Sequence, residues 1–423
     1  MQLQKGYSVK VDDHFSIHIA TDSEEELKAI VNFNMKVHQN EILRTYIPSI
    51  FLEHPRKSEI LWLFIKDDRE NKIVSSLCLS PLEWQIGGTT LPVCEMEFVG
   101  TLQEYRGKGF IKKLNNLYEN IMAQNNYILS VIKGIPYFYR KLGYEYVSSL
   151  DERIAIPVSK IPNKNYKNIN FRKAKKSDIP FIKRKYNQFY ENFYIFNKFD
   201  SECFKFMYLK DIFNSEIRST YIFEESDAAS NYFSLGMSYD DQCYEIICPD
   251  LTKDEMISLL QFIKTMGNYT NDDIITLSIS EHSSLYRFIK NLGGIHISTY
   301  GWQAKIPNLE AFFNLIKEII EKRVQHSEFK GLTKTMRFSN YHKTIILDFV
   351  NGKIQKIKSE KEHPNPDITD LMIPGTFFLK LILGDRTFNE TNYIVKDAII
   401  KSSSKSLIEI LFPKKISFLS SYL

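Results

Sequence analysis

The sequence predicts an α+β protein of three successive units, the first two sharing one order of elements. Strand-like apolar runs alternate with segments of helical period over residues 1–306. That order recurs after a polar stretch carrying Pro162, "SKIPNKNYKNIN" (Ser159 to Asn170). From about Pro307 the pattern changes to a helix, a hairpin and further helices. The expected boundaries are therefore 1–158, a linker at 159–170, 171–306 and 307–423.

In the first unit, "SEEELKAIVNFNMK" (Ser23 to Lys36) opens with a serine and three glutamates, a helix start, after the strand-like "HFSIHIA". Two hairpin-like runs follow, "EILWLFIKDD" and "KIVSSLCLSPLEW", joined by a polar turn at Asp68 to Asn71. The strand "PVCEMEFVG" leads into "EYRGKGFIKKL", after which Phe110, Ile111, Leu114, Leu117, Tyr118, Ile121 and Met122 mark one helix face. A buried strand, "YILSVIK", a short helix around "PYFYRKLG" and a strand beginning "YEYV" complete the unit.

The second unit repeats this rhythm: a helix near Ile179 to Phe193, strands "STYIFEE", "NYFSLGMSY" and "YEIICPD", the helix "KDEMISLLQFIKTM", the strand "IITLSI", the helix "SLYRFIKNLGG" and the strand "ISTYGWQAKI". Its turn after "YEIICPD" reads "LTKDE", without glycine or arginine, so this copy is degenerate. The third unit starts with an amphipathic helix bearing Leu309, Phe312, Phe313, Ile316, Ile319 and Ile320 on one face. A hairpin turning at Asn351-Gly352, suited to a type I′ connection, comes next. Helical segments at "TFFLKLILG" and "SKSLIEILF" precede the tail "PKKISFLSSYL".

Composition narrows the function classes. With 43% apolar residues over 423 the chain builds sizeable cores. Its apolar runs stop well short of the roughly 18 to 20 residues needed to cross a bilayer, so no membrane span is expected. The N-terminus lacks the pattern of a secretory signal. A net charge of +4, not gathered into a stripe, argues against nucleic acid as partner. Cys78, Cys94, Cys203, Cys243 and Cys248 form neither a disulfide framework nor a zinc motif and read as reduced structural thiols of a cytoplasmic protein. His14 and His18 share a strand face without a third ligand, so no metal is expected. The sequons at Asn268 and Asn389 carry no meaning without export.

The turn "RGKG" remains. A glycine turn entering a helix points backbone N–H groups at an anion, helped by the helix dipole. Lys108, Gly109 and Phe110 supply those donors. The spacing fits neither the P-loop nor the dinucleotide fingerprint. Taken with the preceding strand "MEFVGT" and the later "YFYRKLGYEY", it resembles the acetyl-CoA site of the GNAT acyltransferases. Their Q/R-x-x-G-x-G/A hallmark is matched at Arg106 and Gly109, with Ile111 departing at the sixth position, where packing matters more than the cradle. An aliphatic residue there is a feature of the enhanced intracellular survival acetyltransferases, which the chain also resembles in "FYRKLGY" and "LFPKKISFLSSYL".

That resemblance implies an active N-terminal GNAT domain, a degenerate second one and a C-terminal sterol carrier protein-like domain. It also implies acetyl-CoA as co-substrate and an amine acceptor of aminoglycoside, polyamine or lysine type. A homo-oligomer is expected, a ring of six or a smaller assembly. Residue by residue, Phe98, Gly100 and Thr101 line the pantetheine, the Val99 amide polarises the thioester carbonyl, and Arg106, Gly107, Lys108, Gly109 and Phe110 hold the pyrophosphate. Tyr139 takes the position of the acid that protonates the leaving thiolate; Tyr137, Tyr144 and Tyr146 read as packing. The base is the terminal carboxylate of Leu423, or Glu97 or Glu95, which alternation puts on one strand face. Lys112 and Lys113 read as a solvated helix face. A different class of reading, a non-catalytic acyl-CoA sensor or lipid- or partner-binding protein, rests on the loss of the motif from the second copy.

Overall fold

A computed structural model describes residues 3–149, 153–164, 169–209, 212–213, 216–237, 243–298, 301–361 and 364–419. Two large mixed sheets and one smaller sheet organise them. The first sheet runs Ser8–Lys10, Phe15–Ile19, Leu61–Asp67, Lys72–Ile86, Thr89–Thr101, Leu129–Ile132, Gly301–Lys305 and Glu145–Ser149, with Ile195–Asn197 added beside the far end of Lys72–Ile86. The second runs Ile212–Phe213, Glu216–Glu225, Ala228–Met237, Cys243–Ile247, Ile274–Ser278, Arg153–Pro157 and Ile295–Ile297, with Ile169–Lys173 beside Glu216–Glu225.

Each large sheet holds one parallel pair connected by a helix. Thr89–Thr101 and Leu129–Ile132 are bridged by Phe110–Gln124, and Cys243–Ile247 and Ile274–Ser278 by Lys253–Met266. A parallel connection needs such a crossover, which explains why the helical period recurs at this place in both halves. In the first helix Phe110, Leu114, Leu117, Tyr118, Ile121 and Met122 are buried as the spacing requires, and Ile111 is half-buried.

The strands are not sorted by their order in the chain. Gly301–Lys305, which reads as the last strand of the second unit, lies in the first sheet, antiparallel to both Leu129–Ile132 and Glu145–Ser149. Arg153–Pro157, which falls before the expected boundary at 158, lies in the second sheet between Ile274–Ser278 and Ile295–Ile297. Period-2 patterning specifies which face of a strand is buried but not which neighbour completes its ladder. The polar linker is visible in composition, whereas the exchange across it is not.

Three helices go unread in the sequence, Phe388–Ile394 among them. Leu43–Glu53 contains Pro48, which costs roughly 3 kcal/mol in a helix interior. Burial of Tyr46, Ile47, Ile50 and Phe51 outweighs that at roughly 1.5 to 3 kcal/mol per side chain. Ser201–Leu209 is short and buries Phe204, Phe206, Met207 and Tyr208. The long helix expected from Asn308 breaks at Ile316 into Leu309–Leu315 and Lys317–Gln325, yet all six apolar positions of its expected face are buried. Asn351 and Gly352 both have positive φ, 49° and 75°, as a type I′ turn demands.

The third sheet, Lys353–Glu360, Thr344–Val350, Lys334–Ser339, Leu371–Met372 and Ile399–Ile400, has no core of its own. Its Met336, Phe338 and Leu347 and the helix residues Phe312 and Phe313 share one apolar cluster with Trp84, Val93, Val131 and Trp302 of the first sheet. The tail then returns to Ile195–Asn197. The Phe418 amide donates to the Ile195 carbonyl at 2.9 Å, and the Phe418 ring packs on Tyr190 at 4.8 Å.

Two stability outcomes follow from the exchange. A fragment of residues 1–158 lacks a strand from the interior of its sheet, and it is expected to show no cooperative melt by circular dichroism while the full chain does. Trp302→Ala, at a residue with no exposure, is expected to cost about 3–5 kcal/mol in chemical denaturation.

Candidate active site

The parallel pairing of Thr89–Thr101 with Leu129–Ile132 covers only Val93, Cys94 and Glu95. Beyond Glu95, residues 96–101 keep their partner on the other side, Lys72–Ile86, and have no strand partner on this edge among the described residues. Such an edge inside a sheet offers its backbone N–H and C=O groups to an extended ligand.

A β-bulge shapes the same stretch. Ser76 pairs with Gly100 and Cys78 with Glu97, so Phe98 and Val99 together face Leu77. Phe98 has φ 49°, a left-handed conformation costing a non-glycine residue of order 1–3 kcal/mol. Its ring is held against Trp62 at 5.0 Å and Tyr46 at 6.1 Å, which offsets that strain. No glycine or proline signals this bulge in the sequence. Gly100 has a packing reason as well: a Cβ there would lie 2.4 Å from Val37 Cγ1, so the helix Glu24–His38 can approach the strand only at glycine.

The strand ends at the turn. Gly107 and Gly109 have φ 80° and 73°, and a Cβ at either would meet nothing within 4 Å. These glycines are needed for backbone conformation, and the space above them is open. Gly109 is the N-cap of Phe110–Gln124; no side chain caps this helix and no acidic residue occupies its first turn. The Lys108 ammonium leans over Phe15 and Tyr105, at 5.2 and 5.6 Å from the ring centroids. Arg106 Nε donates to the Thr101 carbonyl at 3.4 Å.

The corresponding helix of the second half is built the opposite way. Thr252 and Glu255 form a capping box: Glu255 accepts from the Thr252 amide at 2.9 Å and also from Ser230 at 2.9 Å. A carboxylate already sits where an anion would bind, so this end has no room or charge for a phosphate.

Two of the residues singled out in the sequence, Glu95 and Tyr139, meet consecutive residues at the end of Leu129–Ile132, Lys133 and Gly134. Lys133 pairs with Glu95 at 3.5 Å, and neither Glu95 oxygen accepts a hydrogen bond among the described residues. Burial pushes Glu95 up to about 8, with Lys133 opposing and Glu97 adding to the rise. Glu97 accepts from Ser80 at 3.0 Å and is raised too, burial outweighing Lys133 and that hydrogen bond. Burial pulls Lys133 down, but Glu95, Glu97 and Glu245 of the second sheet outweigh it, and it is raised. Glu245 is itself in a buried pair with Arg218.

The next residue, Gly134, faces Tyr139, whose Cε2 would lie 2.0 Å from a Cβ on that glycine. Tyr139 is buried, edge-on to Phe138 at 5.1 Å and to Tyr144 at 6.1 Å. The Tyr144 hydroxyl is engaged with Ser130 at 2.6 Å, and Ser130 with Tyr118 at 2.8 Å, a chain across the parallel pair. Tyr137 is exposed with φ 70°, and Tyr146 stacks under Arg140.

Residues 20–147 match the family model of the acetyltransferase (GNAT) domain. Across the whole chain the fold is similar to that of a conserved protein of unknown function from Enterococcus faecalis V583, a probable N-acyltransferase (TM-score 0.70, 15% identity, 97% of this chain and 100% of that one). It is also similar to a GCN5-related N-acetyltransferase from Anabaena variabilis (0.68, 16%, 96% and 100%) and to Eis1 from Mycobacterium abscessus (0.61, 11%, 97% and 100%). No curated protein matches the chain by sequence.

Within the matched residues Phe98, Val99, Gly100 and Thr101 form the unpaired edge and its bulge, Arg106 to Phe110 form the turn, and Lys112 and Lys113 are exposed. Leu423 lies outside the described residues. Among the described residues no three metal-ligating side chains cluster, and no helix is long and apolar enough to cross a membrane. Lys133, Gly134, Glu245 and Gln303 were not read as site residues in the sequence. Gly134 alone left a trace there, as the glycine closing the buried strand just before the tyrosine run.

The raised Glu95 sets a stability outcome. A carboxyl whose folded pKa, about 8, exceeds its ordinary 4.5 stabilises the fold below about 4.5 and loses that contribution as pH climbs to 8. Glu95→Gln is therefore expected to gain in melting temperature relative to the wild type between pH 5 and pH 8; a constant difference across that range would contradict the assignment.

Proposed function

We propose that the chain is an acetyl-CoA-dependent N-acetyltransferase that moves acetyl directly to a primary amine within a ternary complex. The observation that carries this reading is the unpaired edge at residues 96–101 running into an uncapped helix start at Gly109. The co-substrate supplies an acetyl thioester. The edge would take the pantetheine amides, and the amides of the Arg106 to Phe110 turn would take the pyrophosphate. The bulge supports Val99 as the amide that stabilises the developing oxyanion.

Tyr139 would donate its proton to the departing sulfur, as phenols in general, at ~10, are close enough in acidity to thiols, at ~8.5, for such a transfer. For the base, half-buried Glu97 fits best: a carboxylate raised by burial is a stronger base near neutral pH, and its Ser80 contact leaves the second oxygen for an amine or its water. The Leu423 carboxylate is the rival. A cavity of 510 Å³ between the first two units supports an acceptor entrance on this side, because its wall at Leu82 shares a strand face with Ser80. An aminoglycoside, polyamine or lysine acceptor, the sterol carrier protein-like character of the third unit and a homo-oligomeric assembly complete the reading from the resemblance.

Thiol release from acetyl-CoA in the presence of an amine panel tests it. Tyr139→Phe is expected to lower kcat by about 10² or more. With Glu97 as base, kcat/KM rises with pH through the raised carboxyl and Glu97→Gln removes that rise, while a chain lacking residues 420–423 keeps its turnover. Collapse of turnover on that truncation would transfer the role to Leu423.

A further inference from the structure

We propose that Gln303, on the strand exchanged from the second half, is a positioning residue that sets Tyr139 for proton donation; this rests on the reading of Tyr139 as acid. Gln303 sits between the two strands that flank the site, opposite Ile132 on one side and Tyr146 on the other. Its side chain is fully buried, and Nε2 donates to the Gly134 carbonyl at 2.9 Å. Gly134 is the residue against which the Tyr139 ring lies, so fixing that peptide fixes one wall of the tyrosine's seat.

The same strand holds the other end of the tyrosine turn. Lys305 Nζ donates to the Leu142 carbonyl at 2.5 Å, and its stem lies 3.3 Å from where a Cβ on Gly143 would be. Leu142 and Gly143 close the 3₁₀ turn Phe138–Leu142 that carries Tyr139. Trp302, next to Gln303, receives the Lys133 ammonium 5.5 Å from its ring and donates through Nε1 to the Leu419 carbonyl at 3.4 Å. Trp302, Gln303 and Lys305 of one strand thus reach the acid's turn, the lysine that pairs with Glu95, and the tail. The degenerate copy has no cradle of its own, yet its last strand supports the tyrosine turn of the first.

The buried amide leaves Oε1 without a partner among the described residues. Burying a half-satisfied amide is unfavourable, and an apolar side chain would pack this strand better. The donor on Nε2 is the one feature of glutamine the site uses.

The test is a double-mutant cycle in the full chain, read by steady-state kinetics with acetyl-CoA and the best amine of the panel. Gln303→Met keeps the length and removes the donor. It is expected to lower kcat by about 10- to 50-fold with KM for acetyl-CoA within about twofold, and Tyr139→Phe/Gln303→Met is expected to be no slower than Tyr139→Phe alone. Gln303→Glu, protonated in this buried place, retains an O–H donor; it is expected to restore most of kcat near neutral pH and to lose it as pH rises. Should the methionine variant not fold, that pH-dependent loss decides. Losses that multiply in the double variant, an unchanged kcat in Gln303→Met, or a Gln303→Glu rate independent of pH would overturn the proposal. An unchanged kcat in Tyr139→Phe would instead remove the acid itself.

Discussion

The first sheet depends on a strand that arrives 169 residues after the backbone it supports, counting from Gly134 to Gln303. Without Gly301–Lys305, Leu129–Ile132 and Glu145–Ser149 would face each other with no ladder between them. Its placement lets Leu129–Ile132 diverge from Thr89–Thr101 after Glu95, because a strand that finds its partner on the far side need not follow its neighbour. The opening that results leaves residues 96–101 without a strand partner on that edge among the described residues. Sheet order and chemistry therefore have one origin here.

Electrostatics around the opening separate into two regions. At the turn, an uncapped helix start and the absence of acidic first-turn residues favour an anion. Deeper, Glu95, Glu97 and Glu245 surround Lys133, so this part favours a cation or a proton that moves between carboxyls. The two regions lie along one strand, Thr89–Thr101, the carboxylates near its middle and the turn beyond its end. The second half shows what the first would be without this division: Glu255 closes its own helix start, and the fold there has become support.

The third unit is bound to this geometry by its core. Trp84 and Trp302 meet edge-on at 5.9 Å inside the cluster that includes Phe312 and Phe313, and Thr376 donates to Glu145 at 2.9 Å. The long hairpin Lys72–Ile86 and Thr89–Thr101 reaches from the open edge at one end to this shared core at the other. Stability of the third unit and alignment of the site are coupled through one pair of strands.

The local elements were legible in the chain because they follow from periodicity and turn chemistry. The helix face from Phe110 to Met122, the glycine turn before it, the Asn351-Gly352 hairpin and the shared rhythm of the two halves all lie within short windows. Pro48 hid a helix, since a local rule was outweighed by burial of Ile47 and Ile50. The glycines, Tyr139 and the two strand glutamates could be singled out as residues, and their roles came from a family resemblance. Only the tertiary structure decided that Phe98 turns left-handed, that Lys133 meets Glu95 while Gly134 meets Tyr139, and that Gln303 stands behind Gly134. Each of these is a pairing between distant backbones, and a sequence specifies which surfaces a strand must bury long before it specifies which strand will cover them.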